Sequence, residues 1–166
     1  TQAGRPTTLR FWNAESRSRG AGYVQLPVYY LSLSRLFPIG ESGKTTPVQL
    51  GLTPEELAYC IRNYKQILSI HSNDTTAAVG IEKGSSRTFS GVSDSIHDVF
   101  TNSAGESNIM RIILAVLSFC RLKEQHPTEY KGGILLIDEL DATLYGFSQR
   151  KLVEYLLKAA EDYRIQ

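Results

Sequence analysis

Residues 132–139 read Gly132-Gly133-Ile134-Leu135-Leu136-Ile137-Asp138-Glu139. Four aliphatic residues run without interruption into two carboxylates, behind a glycine pair. Such a run has no polar side to turn toward water. It predicts a central strand of a parallel sheet, covered by helices on both faces. Ligands of such sheets bind at the carboxyl ends of the strands, so Asp138 and Glu139 fall in the crevice where a substrate sits. One carboxylate there suits Mg2+, held directly or through water beside nucleotide phosphates. The next suits polarising an attacking water. By itself the run also fits a strand ending in a solvated acidic turn, so the flanks decide.

Downstream comes Leu140-Asp141-Ala142-Thr143-Leu144-Tyr145. Upstream, Asn102-Ser103-Ala104-Gly105-Glu106-Ser107 opens a long apolar helix, with Ile109, Ile112, Ile113, Val116, Leu117 and Cys120 at helical spacing. A small-residue turn capped by Ser103 or Ser107 leaves N–H groups at the helix start, and these with the helix dipole favour an anion. The turn suits a terminal phosphate: the Ser103 hydroxyl adds a hydrogen bond, and Gly105 lets backbone approach closely. The alternative for Ser103 is an ordinary N-cap.

This order of small-residue turn, helix, apolar strand and Leu-Asp-Ala resembles the ABC-type ATPase module of transporters, SMC proteins and double-strand-break repair ATPases. The strand ending in Asp138-Glu139 resembles their Walker B strand, Ser103-Ala104-Gly105-Glu106 a variant of their signature motif, and Asp141 the D-loop aspartate. Residues 136–145 are closer still to ATPases of bacterial anti-phage systems, the Septu, retron-associated and OLD-like group, which often have His where this chain has Tyr145. The resemblance is carried by 102–160 and, less fully, by 22–41, which is similar to the Septu ATPase subunit.

The resemblance implies an α/β fold: part of an ABC-type P-loop NTPase with a parallel central sheet, flanking helices and an antiparallel β segment. Residues 1–166 would form a partial ABC-type domain, divided into a β-rich segment and loop (1–50), a helix and variable insert (51–101), and signature helix, Walker B strand, D-loop and following helix (102–166). ATP and Mg2+ are the implied cofactors. Asp138 would organise the metal, Glu139 would activate water, and Asp141 would couple two sites. Residues Ser103, Ala104, Gly105 and Glu106 would reach the γ-phosphate held by an opposite protomer. The implied partners are a second copy, or a higher homo-oligomer, through an ATP sandwich, and a nuclease subunit of HNH type, with DNA or RNA contact. Hydrolysis would gate that nuclease or DNA in anti-phage defence. The alternative is a degenerate scaffold that keeps the fold and dimer surface without turnover.

A phosphate cradle needs G-x-x-x-x-G-K-[ST], whose backbone N–H groups wrap the phosphates. Gly40-Glu41-Ser42-Gly43-Lys44-Thr45 comes nearest, but the first glycine should stand where Pro38 is. Proline removes a donor and fixes φ, and Thr46-Pro47 follows instead of an apolar helix. Residues 38–49 therefore read as a polar surface loop. The P-loop and the histidine that senses the γ-phosphate are expected outside these residues, in a larger ATPase, and this chain alone is expected not to bind ATP tightly.

The 166 residues fit one domain able to bury a core. At 42% hydrophobic and 21% charged the composition is globular, and a net charge of +1 gives no global field for nucleic acid or membrane. The longest nearly uncharged apolar stretch, 25–33, is too short to span a bilayer, and no signal peptide is read. Cys60 and Cys120 read as buried free thiols of a reducing cytosol, which sets the expected location as cytoplasmic. His71, His97 and His126 make no metal-ligand spacing.

Strands are expected at 8–13 and 22–34, and short ones at 76–82 and 86–91. Thr53-Pro54-Glu55-Glu56 opens a helix by three agreeing signals: a cap, proline at the first position and a capping box. A last helix is expected over 147–163, with Leu152, Tyr155, Leu156 and Ala159 on one face. Ser93-Asp94-Ser95-Ile96-His97-Asp98 holds hydrolase residue types, but a triad is spatial and adjacent residues do not make one. Arg5, Arg10, Arg17 and Arg19, with Phe11 and Trp12 among them, fit a solvated edge strand better than a phosphate-binding hairpin.

Overall fold

The structure, a computed structural model, describes residues 26–36, 45–48, 50–71, 77–83, 87–93 and 102–166. The chain runs β1 (Val28–Leu31), a 3-10 turn (Leu33–Leu36), β2 (Thr45–Val48), α1 (Pro54–Leu68), β3 (Ala77–Lys83), β4 (Arg87–Ser93), α2 (Ala104–Gln125), β5 (Ile134–Ile137) and α3 (Gly146–Tyr163). Helices and strands are mixed, as an α/β chain requires. The strand expected at 8–13, the arginine cluster, residues 37–44 and most of the 93–98 segment lie outside the described residues.

α2 is the centre of the molecule. Its residues Ile109, Met110, Ile112, Ile113, Ala115 and Val116 are fully buried. A helix apolar on nearly every side must be enclosed, and α2 packs against α1, β4, the 3-10 turn and α3. β5 pairs in parallel with β1, Val28 beside Ile134 and Leu31 beside Ile137. On its other edge Gly133 pairs in parallel with Ile165, and Leu135 N–H donates to the Gln166 carbonyl at 2.9 Å. β5 is thus flanked on both edges, as its apolar composition predicts.

Among the described residues, this sheet is covered by helices on one face, where two-sided cover is expected. Leu31, Leu135 and Ile137 face the helical core. Val28, Tyr30 and Leu136 alternate to the other face and are 57%, 60% and 50% exposed. Two more boundaries differ. Of the strand expected over 22–34, residues 22–25 lie outside the described residues, and the described part is strand over Val28–Leu31 before the 3-10 turn begins. The loop expected over 38–49 contains strand β2, paired antiparallel with β3 in a sheet ordered β2-β3-β4. Pro47 lies in a strand that is at the edge of the described sheet, where proline is tolerated.

The glycine pair before β5 has a steric cause. Gly132 holds φ at +117°, where side chains are strained. A Cβ on Gly133 would strike the ring of Phe119, itself 2% exposed on α2.

α1 is locked to α2 at its first turn. Thr53 and Glu56 form the capping box, with Thr53 N–H donating to Glu56 Oε2 at 2.7 Å. The same carboxylate accepts from Arg121 on α2, whose guanidinium also donates to the Gly51 carbonyl at 2.9 Å. The Arg121 guanidinium, with the Thr53 N–H, holds the Glu56 carboxyl down to about 2. A carboxyl lowered by folding stabilises the native state above its unfolded value of about 4.3, and that contribution is lost as pH falls toward 2. We predict that Glu56→Gln lowers stability by about 1 kcal/mol at pH 7. Urea unfolding at pH 7, 4 and 2.5 should show the difference shrinking as the parent's own carboxylate protonates. A gap that stays constant with pH would remove the charge from the explanation.

Candidate functional site

Asp138 directly follows β5, its N–H donating to the Leu31 carbonyl at 3.0 Å, so it stands at the carboxyl ends of two parallel strands. The chain then turns sharply. Glu139 takes a left-handed φ of 48°, and Thr143 another of 68°. Neither is a glycine, and each such residue costs about 1–2 kcal/mol. Between them Ala142 N–H donates to the Glu139 carbonyl at 3.2 Å and Leu144 N–H to the Asp141 carbonyl at 3.4 Å. Leu140 and Leu144 anchor the loop by packing against the core. Asp138 is half-buried, while Glu139 and Asp141 are exposed.

The start of α2 lies against this loop. Ser103 is its N-cap: Glu106 N–H donates to Ser103 Oγ at 3.2 Å, and Ser103 N–H donates to Glu106 Oε2 at 2.6 Å. Asn102 ties the cap to β4 by donating to the Val92 carbonyl at 3.0 Å. Gly105 is buried, and a Cβ there would stand well inside van der Waals contact distance of the Thr143 carbonyl oxygen and 3.2 Å from Leu144 Cδ2. The close approach that Gly105 permits is therefore to Thr143 of its own chain. The expected site residues Ser103, Ala104, Gly105 and Glu106 thus flank the loop that carries Asp138, Glu139 and Asp141.

One contributor, Gln149, is not announced by the sequence, and one named there takes another place. Gln149, in the first turns of α3, donates from Nε2 to the carbonyls of Asp141 and Leu144, each at 3.0 Å. The Ser107 hydroxyl, 2% exposed, has no hydrogen-bond partner among the described residues. Ser107 was an alternative cap in sequence; the structure gives that role to Ser103.

The donor set bears on the implied ligands. Mg2+ needs only one or two carboxylates when phosphate and water complete its octahedron, which Asp138 and Glu139 can supply. Among the described residues no cluster of three or more His, Cys, Asp or Glu is gathered to hold a metal by itself. At α2 the Ala104 and Gly105 N–H groups have no intrahelical acceptor, and the Ser103 hydroxyl keeps its proton to donate. These groups fit a phosphate oxygen, against the charge of the Glu106 carboxylate beside them.

The cysteines fit no nucleophilic role. Burial pushes the Cys60 thiol up to about 11 and raises that of Cys120, which suppresses the reactive thiolate. Both are free thiols; Cys60 is buried and Cys120 half-buried. No helix among the described residues is long and apolar enough to cross a membrane. Compared with known proteins, the chain matches no family model, no curated protein and no solved structure.

Proposed function

We propose that these residues are the Walker B, D-loop and signature portion of an ABC-type, SMC-like ATPase. The observation that carries the reading is the position of Asp138 and Glu139 at the carboxyl ends of paired parallel strands, beside the capped start of α2. Asp138 would hold Mg2+ and Glu139 would take the proton of the attacking water. When bound, Mg2+ supplies charge neutralisation on the phosphate oxygens. Ser103 and the first N–H groups of α2 would donate to the γ-phosphate held by a second copy, and Asp141 would link the two sites. Residues 40–45 lack the first glycine of a cradle, with Pro38 in its place, so activity would belong to a polypeptide in which such a segment accompanies these residues. By resemblance, turnover would gate an HNH-type nuclease subunit or DNA.

A second reading has its own observation. Glu106 already occupies the Ser103 N–H and places a negative charge where a phosphate would come, which favours a scaffold that pairs without hydrolysis. Phosphate release from ATP separates them, measured on the polypeptide that carries a G-x-x-x-x-G-K-[ST] segment with these residues. Mg2+-dependent release, with ATP-driven pairing seen by light scattering, supports the ATPase. Pairing without release supports the scaffold.

A further inference from the structure

We infer that Gln149 is a positioning residue for the loop that carries Glu139 and Asp141, an inference resting on the nucleotide reading above. Both partners of its side chain are carbonyl oxygens, those of Asp141 and Leu144, each at 3.0 Å. The atom between them must be the amide nitrogen, whose two N–H groups serve one carbonyl each. The side chain therefore fixes the two ends of the 141–144 turn against each other. It also reaches Glu139 indirectly, because Ala142 N–H closes the preceding turn onto the Glu139 carbonyl at 3.2 Å.

This is not helix capping. A cap accepts from the free N–H groups of a helix start; Gln149 donates, and it donates to the chain before the helix. The N-cap of α3, Tyr145, makes no side-chain cap bond. The loop needs an external hold because it contains two left-handed residues, Glu139 at φ 48° and Thr143 at φ 68°. Strained conformations persist only where their surroundings over-determine them. Gly105 supplies that determination from α2, through its fit against Thr143, and Gln149 supplies it from α3. The loop is clamped between two helices, and its carboxylates inherit the rigidity.

The test compares Gln149→Met, which keeps length but has no donor, Gln149→Glu, which points only acceptors at two carbonyls, and Gln149→Lys, which keeps a donor. Amide hydrogen exchange is measured on this chain. Ala142 and Leu144 should exchange about tenfold faster in the Met and Glu variants, and near the parent rate in the Lys variant, with the α2 amides unchanged. Unaltered exchange at Ala142 and Leu144 overturns the inference. So does equal acceleration throughout α2 and α3, which is what a merely stabilising side chain gives. In the polypeptide that also carries a phosphate cradle, Gln149→Met should lower kcat by up to about 10²-fold with KM for ATP little changed, as for a misplaced catalytic group. An unchanged kcat overturns the positioning role. If the parent itself releases no phosphate, the nucleotide reading falls, while the exchange result still decides whether Gln149 holds the loop.

Discussion

Glu139→Gln, in a polypeptide joining these residues to a phosphate cradle, is expected to bind ATP as the parent does and to hydrolyse it about 10²–10⁴-fold more slowly. Glutamine keeps the size of the side chain and an accepting oxygen but cannot take a proton from water. Glu139 is exposed, and its left-handed φ of 48° costs a glutamine about what it costs a glutamate. Binding by calorimetry and phosphate release by a coupled assay separate the two effects. An unchanged turnover number would take Glu139 out of the chemistry.

Gly105→Ala is expected to destabilise the chain by about 1–3 kcal/mol. The sign is the informative part. Alanine in place of a helical glycine ordinarily stabilises by about 0.5–1 kcal/mol. Here the added methyl group meets the Thr143 backbone carbonyl, which cannot rotate away as a side chain would. For a chain of this size the melting temperature should fall by about 2–4 °C per kcal/mol. A raised melting temperature would show that the loop yields easily and that Gly105 does not hold it. The contact also limits what Gly105 variants can report. Any turnover defect they show mixes a displaced loop in the same chain with a lost contact to a second copy. Ser103→Ala is the cleaner probe of action across a dimer, since it removes the hydroxyl and costs only about 1 kcal/mol of capping.

Local signals in the sequence were legible where their partners lie nearby in the chain. The Thr53–Glu56 capping box spans three residues and formed as read; at α2 the sequence offers Ser103 or Ser107 as cap, and the structure gives Ser103 with a reciprocal bond to Glu106. α3 and the β3–β4 hairpin fall within a residue or two of expectation. β1 was read too long because Val28, Tyr29, Tyr30 and Leu31 are all apolar or aromatic, which hides the alternation that marks where a half-exposed strand stops. β2 was read as loop because the segment was weighed as a phosphate cradle followed by a helix, which Pro38 and Thr46-Pro47 argue against, and its pairing with β3 is set by a partner more than thirty residues away. The Arg121–Glu56 pair, the seat of Gly105 on Thr143 and the two hydrogen bonds from Gln149 to the loop depend on tertiary placement, and no spacing rule announces them.

The central claim is that a nucleotide phosphate sits where β1 and β5 end. The most direct measurement is a crystal structure of the Glu139→Gln variant, in the polypeptide carrying the cradle, grown with ATP and Mg2+. The account predicts a metal about 2.0–2.1 Å from the Asp138 carboxylate, or one water away, with the terminal phosphate beside it. ATP bound away from the ends of these strands, or no ATP at all, would contradict it.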